Sequence, residues 1–233
     1  MILLVGLGNP GAKYARNRHN AGFHAVTAIA EHHGFGPERK KFNGLVREGT
    51  IDGQKVLILR PETFYNESGN AVGAAAKFYK IPVDNIIVFH DEIDLAPGKV
   101  RAKKGGGLAG NNGLRSINAH MGPDFWRVRI GVGHPGRKDA VTPWVLGDFS
   151  KAECADYYDE TIDRMARAVG HLFSFDEAGT GRFMSGIAQP GAAATKTEPE
   201  PKASPKPQSP QPEEKPKRSS PFDILKALGK DRN

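Results

Sequence analysis

The sequence has a single cysteine, Cys154, among its 233 residues. One thiol excludes an internal disulfide framework and fits the reducing cytosol. No apolar run approaches the about 20 residues that a membrane-spanning helix needs. The apolar run at residues 2–5 is short and lacks the basic leader of a signal peptide. We therefore expect a soluble, cytoplasmic protein that does not associate with a membrane.

Acidic residues are in deficit, with 26 Asp and Glu against 33 Lys and Arg, a net charge of +7. This balance favours an anionic partner, most simply a nucleic acid. The length predicts one ordinary domain, with or without a tail.

The last part of the chain is poor in apolar residues. Residues 188–221 carry nine of the 17 prolines, and such a segment buries too little surface to offset the entropy of ordering it. We predict a disordered proline-rich linker over 188–221. Apolar residues at helical spacing predict a short amphipathic helix over 222–230, suited to contact with a protein or RNA partner. The globular domain is then residues 1–187.

Strand and helix patterns alternate within that domain. Asp52-Gly53 is a hairpin signal between two strands. Strands are predicted over 2–5, 45–51, 55–60, 86–89, 99–103 and 126–132, and helices over 21–33, 68–80, from near 114, and over 151–173. The pattern indicates an α/β fold: a single three-layer domain with a mixed, mainly parallel central sheet and helices on both faces.

The segment from Gly6 to Gly11 spells G-x-G-x-x-G directly after the first strand. A dinucleotide site requires the helix to begin near the third glycine, so that the pyrophosphate lies on the helix N-terminus. Here the helical pattern starts only near Ala21, and no second parallel strand ends in an acid about 20 residues on. The glycines are better explained as turn residues that bring Asn9 and His19 to the carboxyl end of the first strand. A nucleotide-dependent oxidoreductase is the weaker alternative.

Further polar stretches point to the same edge of the sheet. Asn66 follows the strand that ends at residue 60, and Asp91 follows the strand over 86–89. A carboxylate there can hold an imidazole, although acids in this place can equally cap a turn. The glycine-rich loop 105–113 lacks the Gly-Lys-Ser/Thr ending of a P-loop, which disfavours a nucleoside triphosphate. The alternative interpretation of this loop is a mobile lid that takes no part in catalysis.

Several motifs occur in order and at fitting separations. They are Val5 to Gly11, Tyr14, Arg18-His19-Asn20-Ala21-Gly22, residues 63–69 with Asn66, His90-Asp91-Glu92-Ile93-Asp94-Leu95, the 105–113 loop running into Asn112-Gly113-Leu114, and Arg129 to Gly136. Together they resemble the bacterial peptidyl-tRNA hydrolase family over about residues 1–185.

The resemblance implies a monomeric esterase that needs no metal and no cofactor. It implies cleavage of the ester between the peptide and the tRNA ribose in peptidyl-tRNA released prematurely from ribosomes, which recycles the tRNA. His19 is then the general base and Asp91 its partner, a role that suits neutral imidazole at physiological pH. By the same resemblance Asn9 belongs to the catalytic set, and the substrate contacts are Tyr14, Tyr65, Asn66 and Asn112.

Two positions depart from the pattern common in that family. Tyr65 stands where many members have Met, which bears on packing against the peptide. Asn111 stands where many have His, which bears on the tuning of the glycine-rich loop.

Basic residues supply the expected tRNA surface. Alternate residues of a strand share a face, so Lys99, Arg101 and Lys103 are predicted to project together beside the glycine-rich loop. The alternative is an edge strand whose exposed lysines only prevent pairing with another chain. The resemblance favours the tRNA surface, because Arg101 and Lys103 match the positions of the family's phosphate clamp. Arg127 and Arg129 also share a face of their strand.

A non-catalytic RNA-binding relative is the alternative function. The presence of His19, Asp91 and the three asparagines favours the enzyme.

Overall fold

The computed structural model describes residues 1–188. The linker and the short helix predicted beyond residue 188 lie outside the described residues. The described part forms a seven-stranded sheet in the order β2-β3-β4-β1-β5-β7-β6. The strands are β1 Ile2–Gly6, β2 Arg39–Lys41, β3 Gly44–Ile51, β4 Gln54–Pro61, β5 Ile86–Glu92, β6 Val100–Lys104 and β7 Trp126–Gly131.

The centre of this sheet is parallel and its margins are antiparallel. β1 pairs in parallel with both β4 and β5, and β5 pairs in parallel with β7. The β3–β4 hairpin turns at Asp52-Gly53, and β2 and β6 each add an antiparallel strand. The predicted mixed sheet is confirmed, and the carboxyl ends of β1 and β5 meet at one edge.

Burial on both faces explains the apolar run that opens the chain. Ile2 and Leu4 of β1 join one core cluster, whereas Leu3 and Val5 join the other. Successive strand residues point to opposite faces, so a strand covered on both sides needs an apolar residue at every position.

Helices cover both faces, as predicted. The helices are α1 Ala21–His32, α2 Ser68–Tyr79, α3 Asn112–Met121, α4 Val141–Val145, α5 Lys151–Glu153, α6 Asp159–Ala168 and α7 Glu177–Ile187. Core residues of α1, α6 and α7 pack on one face, and those of α2 and α3 on the other. Among residues 1–188, no helix combines the length and the apolarity that crossing a bilayer requires.

The structure corrects several boundaries. β5 continues to Glu92, so Asp91 lies within the strand instead of after it, because pairing with β7 extends to Gly131. β6 begins at Val100, which leaves Lys99 in the preceding turn. The predicted helix over 151–173 is interrupted by a π-helical turn, Cys154–Tyr158, between α5 and α6.

Candidate active site

Two glycines allow α1 to lie directly on the ends of β1 and β5. A Cβ on Gly22 would be 2.2 Å from the Phe89 carbonyl oxygen, and one on Gly6 would be 2.5 Å from the Gly22 oxygen. The approach places the 3-10 turn Arg18–Asn20, which leads into α1, at the carboxyl end of the parallel strands. In the first turn of α1 the Phe23 N–H donates to the Leu7 carbonyl at 3.2 Å, and the Phe23 ring lies where a Cβ on Gly8 would be, so this place is filled by the fold and the geometry opposes a dinucleotide site.

His19 and Asp91 meet at this edge. His19 Nδ1 lies 3.0 Å from Asp91 Oδ1 and 2.9 Å from Oδ2. Burial acts to raise the pKa of the Asp91 carboxyl, but the charge and hydrogen bond of His19, followed by His90 and Tyr65, hold it below its usual value. An ionised carboxylate only accepts hydrogen bonds, so in the neutral imidazole the proton is on His19 Nδ1 and Nε2 carries the lone pair.

Tyr65 packs on this pair and bonds to it. Its ring stacks on the His19 imidazole with centroids 3.6 Å apart and an interplanar angle of 11°. Its hydroxyl donates to Asp91 Oδ1 at 2.9 Å and accepts from Asn111 Nδ2 at 2.9 Å. Burial, reinforced by the charge of Asp91, raises the pKa of Tyr65 well above its usual value. The phenol is therefore a neutral donor at physiological pH.

Asn9 is fixed by two neighbours. Its backbone N–H donates to Asn20 Oδ1 at 2.8 Å, and its carbonyl accepts from Asn20 Nδ2 at 3.0 Å. Its own Oδ1 accepts from the Tyr65 backbone N–H at 3.1 Å. The amide oxygen is thus committed, and the N–H groups of Nδ2 are the donors left to serve a ligand. Asn20 is 3% exposed, and its place in the motif was the only sign in the sequence of this supporting role.

Of the other predicted substrate residues, Asn66 and Asn112 directly follow Tyr65 and Asn111, which bond in series to Asp91. Asn66 and Asn112 are exposed. The Asn112 oxygen accepts from Arg115. Tyr14 is half-buried at the end of the 3-10 turn Ala12–Tyr14. Within residues 1–188, none of the three side chains hydrogen-bonds to His19 or Asp91.

Two cavities lie along α1. One, of about 480 Å³, opens beside Asn9 between Phe23 and Arg60. The other, of about 460 Å³, is lined by His24, Cys154 and other residues that do not include His19 or Asp91. The lining of the first cavity does not include His19 or Asp91 either, but it contains Asn9 and Asn20, and Asn20 directly follows His19 in the chain.

Arg18 anchors the turn that carries His19, a role that sequence analysis missed. Its guanidinium donates to both carboxylate oxygens of Glu153 at 2.8 and 2.9 Å and to the Asp148 carbonyl at 2.9 Å. It also lies 4.0 Å from the centroid of the Trp144 ring. These partners are far along the chain, so no local pattern could reveal them.

The basic residues of β6 and β7 form one face. Arg101 is in register with Arg129, and Lys103 with Arg127, and residues paired in this way project to the same side. Arg127 is only 1% exposed and donates to the Gly107 carbonyl at 2.7 Å, so it supports the glycine-rich loop. Arg129 is paired with Glu92 at 2.9 Å. Of the three residues predicted to share this face, Lys99 precedes β6, and Arg101 and Lys103 lie within it.

Comparison of the sequence and the structure with known proteins shows the family of this chain. The family model described as peptidyl-tRNA hydrolase matches residues 3–191. A peptidyl-tRNA hydrolase of Parvibaculum lavamentivorans is 60% identical over 178 residues, covering 76% of this chain and 87% of the relative. One of Rhodospirillum rubrum is 53% identical over 205 residues, covering 88% and 83%. The crystal structure of peptidyl-tRNA hydrolase from Acinetobacter baumannii is 42% identical, with a TM-score of 0.74 over 80% of this chain and 94% of that one. The chain belongs to the peptidyl-tRNA hydrolase family.

Proposed function

We propose that this protein hydrolyses the ester between a peptide and the tRNA ribose in peptidyl-tRNA, with His19 as general base oriented by Asp91. The substrate and the reaction follow from membership of the family. The observation that carries the mechanism is the contact of His19 Nδ1 with both oxygens of a buried carboxylate. An ester needs only an activated water, and an imidazole with a free Nε2 supplies the base.

The proposed sequence of steps moves one proton through His19. Nε2 takes a proton from water as the water oxygen bonds to the ester carbonyl carbon, and Asp91 stabilises the imidazolium that forms. The tetrahedral intermediate then collapses, the bond to the ribose oxygen breaks, and the imidazolium returns the proton to that oxygen. The products are a peptide with a free carboxyl group and a tRNA with a free ribose hydroxyl.

Asn9 is the proposed donor to the oxyanion. Its Oδ1 is held by the Tyr65 N–H, so its Nδ2 can donate to the developing negative charge without adding a buried charge of its own. We assign Asn66, Asn112 and Tyr14 to the peptide and acceptor end from their places in the family's motifs, and the exposure of Asn66 and Asn112 is compatible with that role. Arg101 and Lys103 are assigned to the tRNA phosphates.

A release assay with peptidyl-tRNA tests the mechanism. His19→Ala is expected to lower kcat by about 10²–10⁴, the usual contribution of a positioned general base, with little change in tRNA binding. His171→Ala, at an exposed histidine, is the matched control and retains activity. Wild-type turnover by folded His19→Ala protein contradicts the mechanism. A wild-type protein that binds peptidyl-tRNA without cleaving it identifies the RNA-binding alternative.

The proposal also includes a monomer located in the cytoplasm, with a tail that contacts a protein or RNA partner. Light scattering coupled to size exclusion measures the first of these, and a mass of two chains contradicts it.

A further inference from the structure

We propose that Tyr65 and Asn111 act together as positioning residues that link the glycine-rich loop to the His19–Asp91 dyad. The inference rests on the proposed function, since it assigns to the pair the task of holding the general base in its working orientation.

The hydrogen bonds have a defined direction. Asn111 Nδ2 donates to the Tyr65 hydroxyl, which donates to Asp91 Oδ1, and the same carboxylate accepts from His19 Nδ1. A hydroxyl has one proton to give. Because Asn111 supplies a donor, the hydroxyl accepts from the loop side and commits its own proton to Asp91.

Stacking adds a second restraint on the base. The Tyr65 ring lies 3.6 Å from the imidazole and nearly parallel to it, so it covers one face of His19. Rotation of the imidazole toward that side is blocked, while both oxygens of Asp91 hold Nδ1. The ring reaches this place because residue 113 is a glycine, whose Cβ would otherwise lie 2.5 Å from Tyr65 Cε1.

Asn111 carries a second contact that belongs to the loop. Its Oδ1 accepts from the Leu114 N–H at 3.0 Å and caps α3. One amide therefore ends the glycine-rich loop, begins α3 and bonds to Tyr65. A displacement of the loop withdraws the donor from Tyr65, so the conformation of the loop and the orientation of the dyad are coupled.

These two positions are the ones at which the chain departs from the common family pattern. The structure joins them by a direct hydrogen bond. In this chain the phenol at residue 65 and the amide at residue 111 therefore act on each other directly.

A double-mutant cycle tests the link, with kcat and KM for peptidyl-tRNA measured across pH. Tyr65→Phe keeps the stacked ring and removes only the hydroxyl, and we expect kcat to fall about tenfold with KM nearly unchanged. The acidic limb of the kcat/KM profile is expected to move to higher pH, because an Asp91 carboxylate without this donor attracts the imidazolium more strongly. Asn111→Ser keeps a cap acceptor but removes the Nδ2 donor, and a smaller change in the same direction is expected.

The double variant shows whether Tyr65 and Asn111 act through the hydrogen bond between them. Tyr65→Phe/Asn111→Ser is expected to match Tyr65→Phe alone, because without the hydroxyl Asn111 has nothing to donate to. Tyr79→Phe is the matched control, since it removes a phenol that bonds to the Glu48 carboxylate on the surface at 2.9 Å, and no change is expected. Additive effects, an unmoved pH profile, or a raised KM at constant kcat overturns the inference. If His19→Ala is inactive while Tyr65→Phe is wild-type, the inference alone fails; an active His19→Ala protein contradicts the proposed mechanism itself.

Discussion

Replacing Gly22 by alanine tests whether the close approach of α1 to the sheet is what positions His19. The new Cβ would lie 2.2 Å from the Phe89 oxygen and 2.5 Å from the Leu7 nitrogen. Both are backbone atoms at buried residues, so neither can rotate away. A carbon–oxygen contact normally needs about 3.3 Å, and the helix must therefore move away from the strands by about 1 Å.

That displacement has two measurable consequences. Overpacking of this kind costs about 1–3 kcal/mol, and we expect the free energy of unfolding to fall by about that amount. His19 lies three residues before Gly22, whereas Asp91 is on β5, so the movement lengthens the contact of 2.9 Å between them. A misplacement of about 1 Å can cost about 10²-fold in rate, and kcat is expected to fall to that extent.

Urea unfolding and a release assay on the same folded sample measure the two effects. Gly181→Ala in α7 is the matched control, because a Cβ there meets nothing within 4 Å. It is expected to raise stability by about 0.5–1 kcal/mol through helix propensity and to leave kcat unchanged. A Gly22→Ala protein with wild-type stability and wild-type kcat refutes the reasoning.

Three further predictions follow from other parts of the molecule. Replacing both Arg101 and Lys103 by alanine is expected to raise KM for peptidyl-tRNA. The slope of log binding constant against log salt concentration should flatten by about 0.7–0.9 for each phosphate that is no longer neutralised. An equal loss of activity on a short ester without the tRNA body argues against a role in tRNA binding. Activity is expected to survive EDTA, because Asp91 faces His19 and Glu92 faces Arg129; inactivation on chelation, with recovery on adding magnesium or zinc, would show the opposite. Burial lowers the pKa of His24, so the unfolded chain takes up the proton first as pH falls. Stability is therefore expected to decline below pH about 6.5, by up to about 1.4 kcal/mol per pH unit from this group, and His24→Gln is expected to lessen the slope in urea titrations at pH 7.5, 6.5 and 5.5.

The elements predicted correctly are those that local pattern determines. Unbroken apolar runs marked β1 and β5, and the Asp52-Gly53 turn marked the β3–β4 hairpin. β2 was missed because its three residues are Arg39, Lys40 and Lys41, which form a strand only by pairing with β3. An apolar pattern cannot reveal an element that a neighbouring strand alone defines.

The site was predictable in part, for a different reason. Motif and resemblance together bring His19, Asp91 and Asn9 into one proposal; in the structure His19 contacts Asp91, and Asn9 bonds to Asn20 and to the Tyr65 backbone. The Tyr65 hydroxyl bond to Asp91 and the burial of Arg127 depend on contacts between distant segments. A strand arginine is expected to be exposed, yet Arg127 is covered by the glycine-rich loop and lies 4.7 Å from the Phe125 ring centroid.

The glycines at residues 6–11 show how one local motif can lead to different chemistry. In a dinucleotide fold the helix begins at the third glycine, and its N-terminal N–H groups face a phosphate. Here two 3-10 turns, Ala12–Tyr14 and Arg18–Asn20, separate Gly11 from α1. The close approach occurs instead at Gly22, in the first turn of α1, where the Phe23 N–H donates to the Leu7 carbonyl at 3.2 Å, so this N–H is used within the fold and does not face a phosphate. The longer connection presents the side chain of His19, held by Asp91 and covered by Tyr65. Because the strand, the glycines and the helix are common to both cases, the length of the connection decides whether this edge offers backbone donors to an anion or a general base to an ester.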